Sequence, residues 1–396
     1  MHTLTKVRLF RILLWMTYPL ALIFIYPFTL FKKRNKGSLF FFFDRYVIGG
    51  AQRVHLDIMQ CIEDKYKQVY FTRSSFNDVL KNGFYSQPNS KCSDIHLWCD
   101  NLIFRIFTVH YFAFYINRHQ KAHVFSSNST FFYDMLPFMR KSVIKTELLH
   151  NFTYGKKGME FFGLANYKYL NHRICVDYST AINIKEQYKE HTIPKEFNER
   201  VMVIEPGVSI PELYNKHIAL PLRVIYAGRG SAQKRVYLIE KIMEKCLAEK
   251  LPVEFHFAGS VVYELAEKTK QSAVIHGEIK DKAEMDKLYL GSHILIMTSA
   301  YEGFPMVIKE AMAYGCIPLV TALEGNKTHL VHLKNSLLID NFQNEDYVVQ
   351  EGTEYIKMLC RDLQLTDLLS QKAYKYAKEN FSINIFFKKY SDFFNG

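Results

Sequence analysis

The sequence predicts an α/β protein built on parallel sheets. Three strand–loop–helix units predict it. Ile294 to Thr321 reads as strand, loop, helix, turn and strand. Ile294 to Met297 is a short apolar run of the buried-strand type, and Val307, Ile308, Ala311 and Met312 repeat at helical spacing. Pro305 suits the first turn of that helix, Gly315 stops it, and Pro318 opens the next apolar run. Leu222 to Cys246 and Leu39 to Ile62 repeat the pattern, each with glycine between strand and helix. Two strands in the same direction joined through a helix require a parallel sheet, and ligands of such sheets bind at the strands' carboxyl ends. With 396 residues, the chain is long enough for two domains with sizeable cores.

The composition is globular, with 48% hydrophobic and 23% charged residues. Seven scattered cysteines without a C-x2-C pair are the usage of a reducing compartment, and they read as structural. The net charge of +12 is uneven: Met1 to Phe43 carries Lys6, Arg8, Arg11, Lys32, Lys33, Arg34 and Lys36 and no acid. These cations bracket the uncharged run Ile12 to Phe31, which directs the charge to a membrane surface and away from nucleic acid. Twenty uncharged residues suffice for one span. Trp15, Tyr18 and Tyr26 are residues of the membrane interface, but Pro19 and Pro27 interrupt the run and both flanks are basic. Three readings stay open: a single span, a bent or interfacial anchor with both ends cytoplasmic, and a buried helix pair. A signal peptide is disfavoured because no small-residue cleavage site follows.

Next in the chain, Leu39 to Phe43 is an apolar strand, Gly49 and Gly50 a tight turn, and Val54, Ile58, Cys61 and Ile62 a helix face. Strands follow at Gln68 to Thr72 and Ala122 to Phe125, with an aromatic helix from Leu102 to Tyr115. Ile144 to Phe152 reads as a strand that delivers His150 to its carboxyl end. Arg173 to Val176 and Val201 to Ile204 are further strands, closed by the turn Glu205 to Val208.

The second half opens with the strand Leu222 to Tyr226 and the loop AGRGSAQK. Gly228, Arg229 and Lys234 ahead of a helix form a phosphate cradle in physical terms: arginine offers a bidentate fork and lysine a point charge. Val253 to Ser260 is a strand reaching Gly259, and Val274 to Ile279 holds Ile275, His276 and Gly277. Glu302 lies on the loop before the helix that starts near Pro305, and Glu310 on its second turn. Free N–H groups of Gly303, Phe304 and Met306 at that helix start would make an anion site. Two carboxylates beside it would repel a phosphate unless they bind something else, and sugar hydroxyls fit. Ala373 to Phe394 reads as a helical tail.

The stretch E-G-F-P-x-V-x-x-E-A-M-A-x-G, Glu302 to Gly315, resembles the E-x7-E signature of the retaining glycosyltransferases of family 4 (glycosyl transferases group 1), which have the GT-B fold. G-G-A-x-R-V at Gly49, with Gln52 in place of a glutamate, resembles the same family's N-terminal glycine loop. G-R-x-x-x-x-K at Gly228 resembles its diphosphate loop, with Arg235 where glycine is common. The resemblance implies two Rossmann-like domains facing a cleft, plus the N-terminal membrane-associating segment. Its expected divisions are 1–36 for that segment, 37–210 for the acceptor side, 211–376 for the donor side and 377–396 for a helix returning to the first domain. It implies that Glu310 holds the ribose of a nucleotide-sugar and Glu302 the transferred sugar. Gly303, Phe304 and Pro305 would cap sugar and diphosphate, and Arg229 and Lys234 would neutralise the diphosphate. Ile275, His276 and Gly277 would meet the base, with Gly228 and Gly259 at neighbouring strand ends. Gly49 and Gly50 would lie over the diphosphate near the acceptor, and His150 beside the sugar.

The expected function is therefore retaining, metal-independent transfer of a hexose-type sugar from a nucleotide-diphosphate sugar to a glycan or lipid-linked acceptor, in cell-surface polysaccharide assembly. The nucleotide-sugar is a substrate, and no cofactor is expected; no Asp-x-Asp metal motif occurs. The expected location is the inner face of the cytoplasmic membrane, contacted through residues 12–31. A catalytically inactive membrane-attached binding or scaffold protein is an alternative, as is a GT-B sugar-nucleotide epimerase or hydrolase.

Overall fold

A computed structural model of the chain describes residues 3–32, 39–47, 49–153, 158–214 and 216–396. Lys33, Arg34 and Lys36 of the expected basic flank lie outside them. The chain divides into two compact units, Met1–Glu205 with Phe387–Gly396, and Pro206–Phe386.

The first unit holds β1 (Leu39–Phe43), β2 (Lys67–Phe71), β3 (Ser90–Asp94), β4 (His123–Ser127), β5 (Ile144–Leu149), β6 (His172–Cys175) and β7 (Val201–Val203). Their order is β3-β2-β1-β4-β5-β6-β7, and every neighbouring pair is parallel. The second unit holds β8 (Leu222–Ala227), β9 (Val253–Ala258), β10 (Val274–Gly277), β11 (Ile294–Met297), β12 (Ile317–Thr321) and β13 (Leu337–Ile339). Their order is β10-β9-β8-β11-β12-β13, again parallel. Two parallel sheets in two units are the α/β architecture the sequence predicts.

A central strand of a doubly covered sheet is buried on both faces, so it is apolar without alternation. All five residues of β1, LFFFF, are buried. Phe40 and Phe42 join a cluster with Phe112, Phe131 and Val124. On the opposite face Phe41 packs on Phe125 and Phe394, and Phe43 on His55. The edge strand β3, SKCSD, has no apolar run and is half exposed, so periodicity does not reveal it.

The tail differs from expectation. It forms two helices, Leu363–Asn380 and Ile383–Asn395. Between them the backbone leaves helical geometry to pair with the turn at Glu205 to Val208. Val208 N–H donates to Phe381 O (2.8 Å) and Ile383 N–H to Val208 O (2.9 Å). The approach is close enough that a Cβ on Gly207 would stand 2.6 Å from Ile383 Cα. Glycine is required there by space.

The N-terminal run also differs. Its helix begins earlier than the uncharged stretch, spans Thr3–Phe24 through Pro19, and is followed by a short helix Tyr26–Leu30. One face packs on the first unit, with Val7, Leu14, Ala21 and Ile25 buried. Arg11 donates to Asn166 Oδ1 at 2.7 Å, and Thr17 Oγ1 lies 3.1 Å from His110 Nε2.

One ion pair is wholly inside the first unit. Arg173 and Glu147 are buried to within a percent of completely and bonded to each other. Tyr133 donates to Glu147 Oε2 (2.6 Å), and Arg173 Nη1 donates to the Tyr188 hydroxyl (2.9 Å). Removing one partner strands the other's charge, which costs far more than the pair contributes. Arg173→Met is expected to destabilise the protein by about 3–5 kcal/mol in urea unfolding. Arg173→Met combined with Glu147→Leu should recover much of that loss. A single variant as stable as the parent would contradict the pair's assignment.

Candidate functional site

In the second sheet the chain reverses direction of travel at β8, whose neighbours are β9 and β11. That is the topological switch point, where the loops beyond two adjacent strands part and leave room for a ligand. The loops there are 228–235 after β8 and 298–305 after β11.

The two loops are fastened together. Ala300 N–H donates to Gln233 O (2.8 Å), and Gln233 Nε2 donates to Tyr301 O (2.8 Å) and Glu302 Oε1 (3.1 Å). Lys234 Nζ stands 2.5 Å from Glu302 Oε1, with both side chains mostly buried. Arg235 is buried and reaches three carbonyl oxygens: Nε to Thr298 (2.8 Å), Nη1 to Phe342 (2.8 Å) and Nη2 to Ser299 (3.3 Å). Thr298 Oγ1 returns a bond to Arg235 O at 2.9 Å.

Arg235 has φ of 47°, in the left-handed region. This is the position where the resemblance places glycine, which adopts that region without a Cβ penalty. Here an arginine accepts the backbone cost, and its guanidinium satisfies the loop carbonyls. The left-handed requirement is legible from the resemblance; the tether is not.

The strand ends beside the switch point carry no side chains. Gly259 has φ of 99°, and a Cβ on it would stand 2.3 Å from Gly228 O. Gly259 N–H donates to Gly277 O (2.6 Å), and Gly228 N–H to Ala258 O (2.9 Å). Gly228, Gly259 and Gly277 thus line β8, β9 and β10 as an open backbone shelf. Below it the buried Tyr226 hydroxyl donates to Arg229 O at 2.7 Å. Arg229 itself is exposed, and the Tyr226 hydroxyl feels both its charge and that of Glu302.

The helix Met306–Ala313 starts at Pro305, which is its N-cap, one place before the expected first turn. Proline gives no side-chain cap, and in the first turn Ile308 N–H donates to Pro305 O at 3.1 Å. The Phe304 ring packs on His329 and Phe381 and under Lys309 Nζ, and its side chain is structural. Gly303 is approached so closely by the next helix that a Cβ on Gly325 would stand 2.0 Å from Gly303 O. Glu310 is bonded by the Tyr289 hydroxyl at 3.3 Å, a partner sequence reasoning missed. At the sheet edge Ile275 is exposed, and His276 Nε2 lies 2.9 Å from His256 Nδ1. Burial holds both imidazoles below the usual range, and the His276 charge lowers His256 further.

In the first unit, Gly49 and Gly50 do not form the expected tight turn. Gly49 is extended (φ 174°) and serves as N-cap of the helix Gly50–Gln60, because Arg53 N–H bonds its carbonyl at 3.1 Å. The Gln52 side chain lies over Gly49, whereas Gly50 faces open space.

His150 follows β5 as expected, and its Nε2 lies 3.0 Å from Nε2 of His55. The fully buried His55 ring stacks on Phe43 with centroids 4.1 Å apart. Burial pushes His150 down to about 4, and burial with the His150 charge holds His55 well below 6.5. Both rings are therefore neutral at pH 7 and share one proton between the Nε2 atoms. His55 Nδ1 is buried without a partner. The Nε2–Nε2 contact needs one ring to donate and the other to accept, so the tautomers of the two rings are coupled. His55 was detectable as a polar residue one turn before Ile58 on a core-facing helix side.

Residues 217–375 match the family model described as glycosyl transferases group 1. An uncharacterized 41.2 kDa protein in the cps region of Klebsiella pneumoniae is 24% identical over 130 residues. That match covers 33% of this chain and 35% of the relative, so the chain spans about a third of the curated relative's length. Among solved structures, TarM is similar with a TM-score of 0.71 at 13% identity, covering 91% of this chain and 99% of TarM. Anabaena Alr3699/HepE, solved in complex with UDP, gives 0.70 at 16% identity, covering 90% and 99%. A glycosyltransferase from Rickettsia africae gives 0.67 at 14% identity, covering 91% and 98%.

Arg235→Ala is expected to keep the strained backbone and lose the tether. Each charged hydrogen bond to a buried carbonyl contributes about 1.5–3 kcal/mol, so a drop of several degrees in Tm is expected. Nucleotide affinity should fall together with it. An unchanged Tm would show that the loops hold together without the guanidinium.

Proposed function

We propose that the chain is a glycosyltransferase that moves a sugar from a nucleoside-diphosphate sugar to a glycan or lipid-linked acceptor, with retention at the anomeric carbon. The observation that carries the proposal is the switch point itself. A cation, a carboxylate, a side-chain-free glycine shelf and an uncapped helix start meet there within two fastened loops.

On this reading the base lies against Ile275, His276 and Gly277, and Glu310 accepts hydrogen bonds from the ribose hydroxyls. The diphosphate crosses the shelf of Gly228 and Gly259. It faces Lys234, Arg229 and the N–H groups near Gly303, Phe304 and Pro305. Glu302 orients the sugar. On the first unit, the acceptor side is assigned to Gly49 and Gly50, with His150 beside the sugar. The bond from the anomeric carbon to the phosphate oxygen breaks, and the acceptor oxygen bonds to that carbon on the same face. The acceptor's proton leaves with the departing phosphate oxygen. Charge grows on that oxygen in the transition state, and preorganised cations and dipoles stabilise it most there. These groups supply the neutralisation a metal would otherwise supply, and transfer is expected to survive EDTA. A role in surface polysaccharide assembly is supported by the cps-region relative.

A screen of UDP-, GDP- and ADP-sugars by thermal shift and donor hydrolysis tests the proposal. One donor should bind, and Arg229→Ala and Glu310→Ala should each weaken it by at least tenfold while far-UV circular dichroism stays unchanged. Absence of binding by every nucleotide-sugar would overturn it in favour of an inactive scaffold.

Glu302 also pairs with Lys234, so a phosphate would compete with this carboxylate for the cation. Glu302→Gln is therefore expected to bind free nucleoside diphosphate several-fold more tightly and to transfer sugar more slowly. Weaker diphosphate binding by this variant would mean that Lys234 does not exchange between the two partners.

A further inference from the structure

The N-terminal helix pair leaves a surface that water does not suit. From Leu9 to Phe31 every exposed residue of the two helices is apolar or aromatic, including Ile12, Trp15, Met16, Leu20, Ile23, Phe24, Phe28 and Phe31. Met16, Ile23 and Phe24 are each more than 60% exposed, far from the state of a core helix. A soluble surface seldom presents a contiguous apolar strip of this length without an occupant.

The opposite face is built into the first unit. The helix Leu102–Asn117 runs alongside: Arg105 lies under the Phe10 ring, His110 meets Thr17, and Phe114 packs with Ala21 and Ile25. These pairs advance together, so the two helices are parallel neighbours. The second helix adds its own outward residues. Ile103 (75% exposed) and Phe107 are one turn apart in line with Tyr111, which packs beside Ala21 and Ile25. At its start Trp98 packs on Phe104, and Leu97, Trp98 and Leu102 are exposed. Asp100 is the acid among these residues, which suits the rim of a surface and not its centre.

We infer that this face is an in-plane membrane dock made of two parts, the helix pair Thr3–Leu30 and the outer residues of Leu97 to Phe107, and that its occupant is one leaflet of an anionic bilayer. The inference stands apart from the catalytic proposal. A spanning helix would have to expose Leu14, Ala21 and the bonded Arg11 and Thr17 to lipid, stripping contacts the fold already makes. A docked helix keeps them and presents only its apolar side. Charge chooses the leaflet surface as occupant over a second copy of this chain. Met1 to Phe43 has seven cations and no acid, and Lys6 and Arg8 are exposed on the first turns, where lipid phosphates would lie. A second copy would bring the same cations and be repelled.

The chain contains two tryptophans, and both lie on this face: Trp15 midway along the first helix and Trp98 on the second part. They report depth directly. The full chain, as parent, Trp98→Phe and Trp15→Phe, would be mixed with vesicles of phosphatidylcholine and phosphatidylglycerol carrying bromine either high on the acyl chain or near its end. An in-plane helix sits roughly 5–10 Å into the boundary, whereas the centre of a hydrocarbon core about 30 Å thick is deeper. Stronger quenching of both tryptophans by the high bromines is the expected result. Met16→Glu and Ile23→Glu, on the exposed side, should abolish quenching with circular dichroism unchanged. Lys6→Gln or Arg8→Gln should weaken vesicle binding about fivefold each. Strongest quenching of Trp15 by the deep bromines would overturn the inference in favour of a span. No quenching at all would overturn it too, and light scattering would then show whether a second copy covers the face. Quenching of Trp15 alone would overturn the two-part surface.

Discussion

Parallel pairing sends every strand's carboxyl end to the same edge of its sheet, and the remaining features of the second unit depend on that constraint. It brings the loop after β8 beside the loop after β11, although they are about seventy positions apart in the chain. Neither loop is a site alone. Beside each other they put Lys234 against Glu302 and let Arg235 reach across to Thr298 and Ser299. The glycines follow from the same geometry, because neighbouring strand ends approach too closely for a Cβ at Gly259.

The loops hold charge in a state suited to exchange. Lys234 and Glu302 neutralise each other while retaining some solvent access, so neither is locked as Arg173 and Glu147 are. A pair buried completely is costly to open, and one with some solvent access is less so. The contrast separates an ion pair sealed in a core from one that keeps some access to solvent. His55 and His150 add a third arrangement, in which burial removes charge and leaves one proton shared between the rings.

The N-terminal helices show how burial sorts a uniformly apolar segment. A run with little periodicity can span a membrane, lie on one or fill a core. Packing on the helix Leu102–Asn117 decides which residues are covered, and it turns Val7, Leu14, Ala21 and Ile25 inward. What faces outward is then a property of the fold, assembled from two segments distant in sequence.

Local patterning determined much by itself. Apolar runs such as LFFFF and ILIM, with glycine or proline after them, define strands and helices through short-range sterics and burial. The spacing of Glu302 and Glu310 and the glycine–cation loop at Gly228 were readable for the same reason: each lies within one strand–loop–helix unit. Tertiary structure decided whatever depends on a partner elsewhere in the chain. It broke the tail at Phe381 because the turn at Gly207 claims that backbone, and it replaced the expected Gly49 turn with a helix cap. It also gave Arg235 its three carbonyls, Glu310 its tyrosine and His150 its histidine. Hydrogen bonds and contacts between distant segments leave no periodicity in the sequence, so only the folded chain brings them into view.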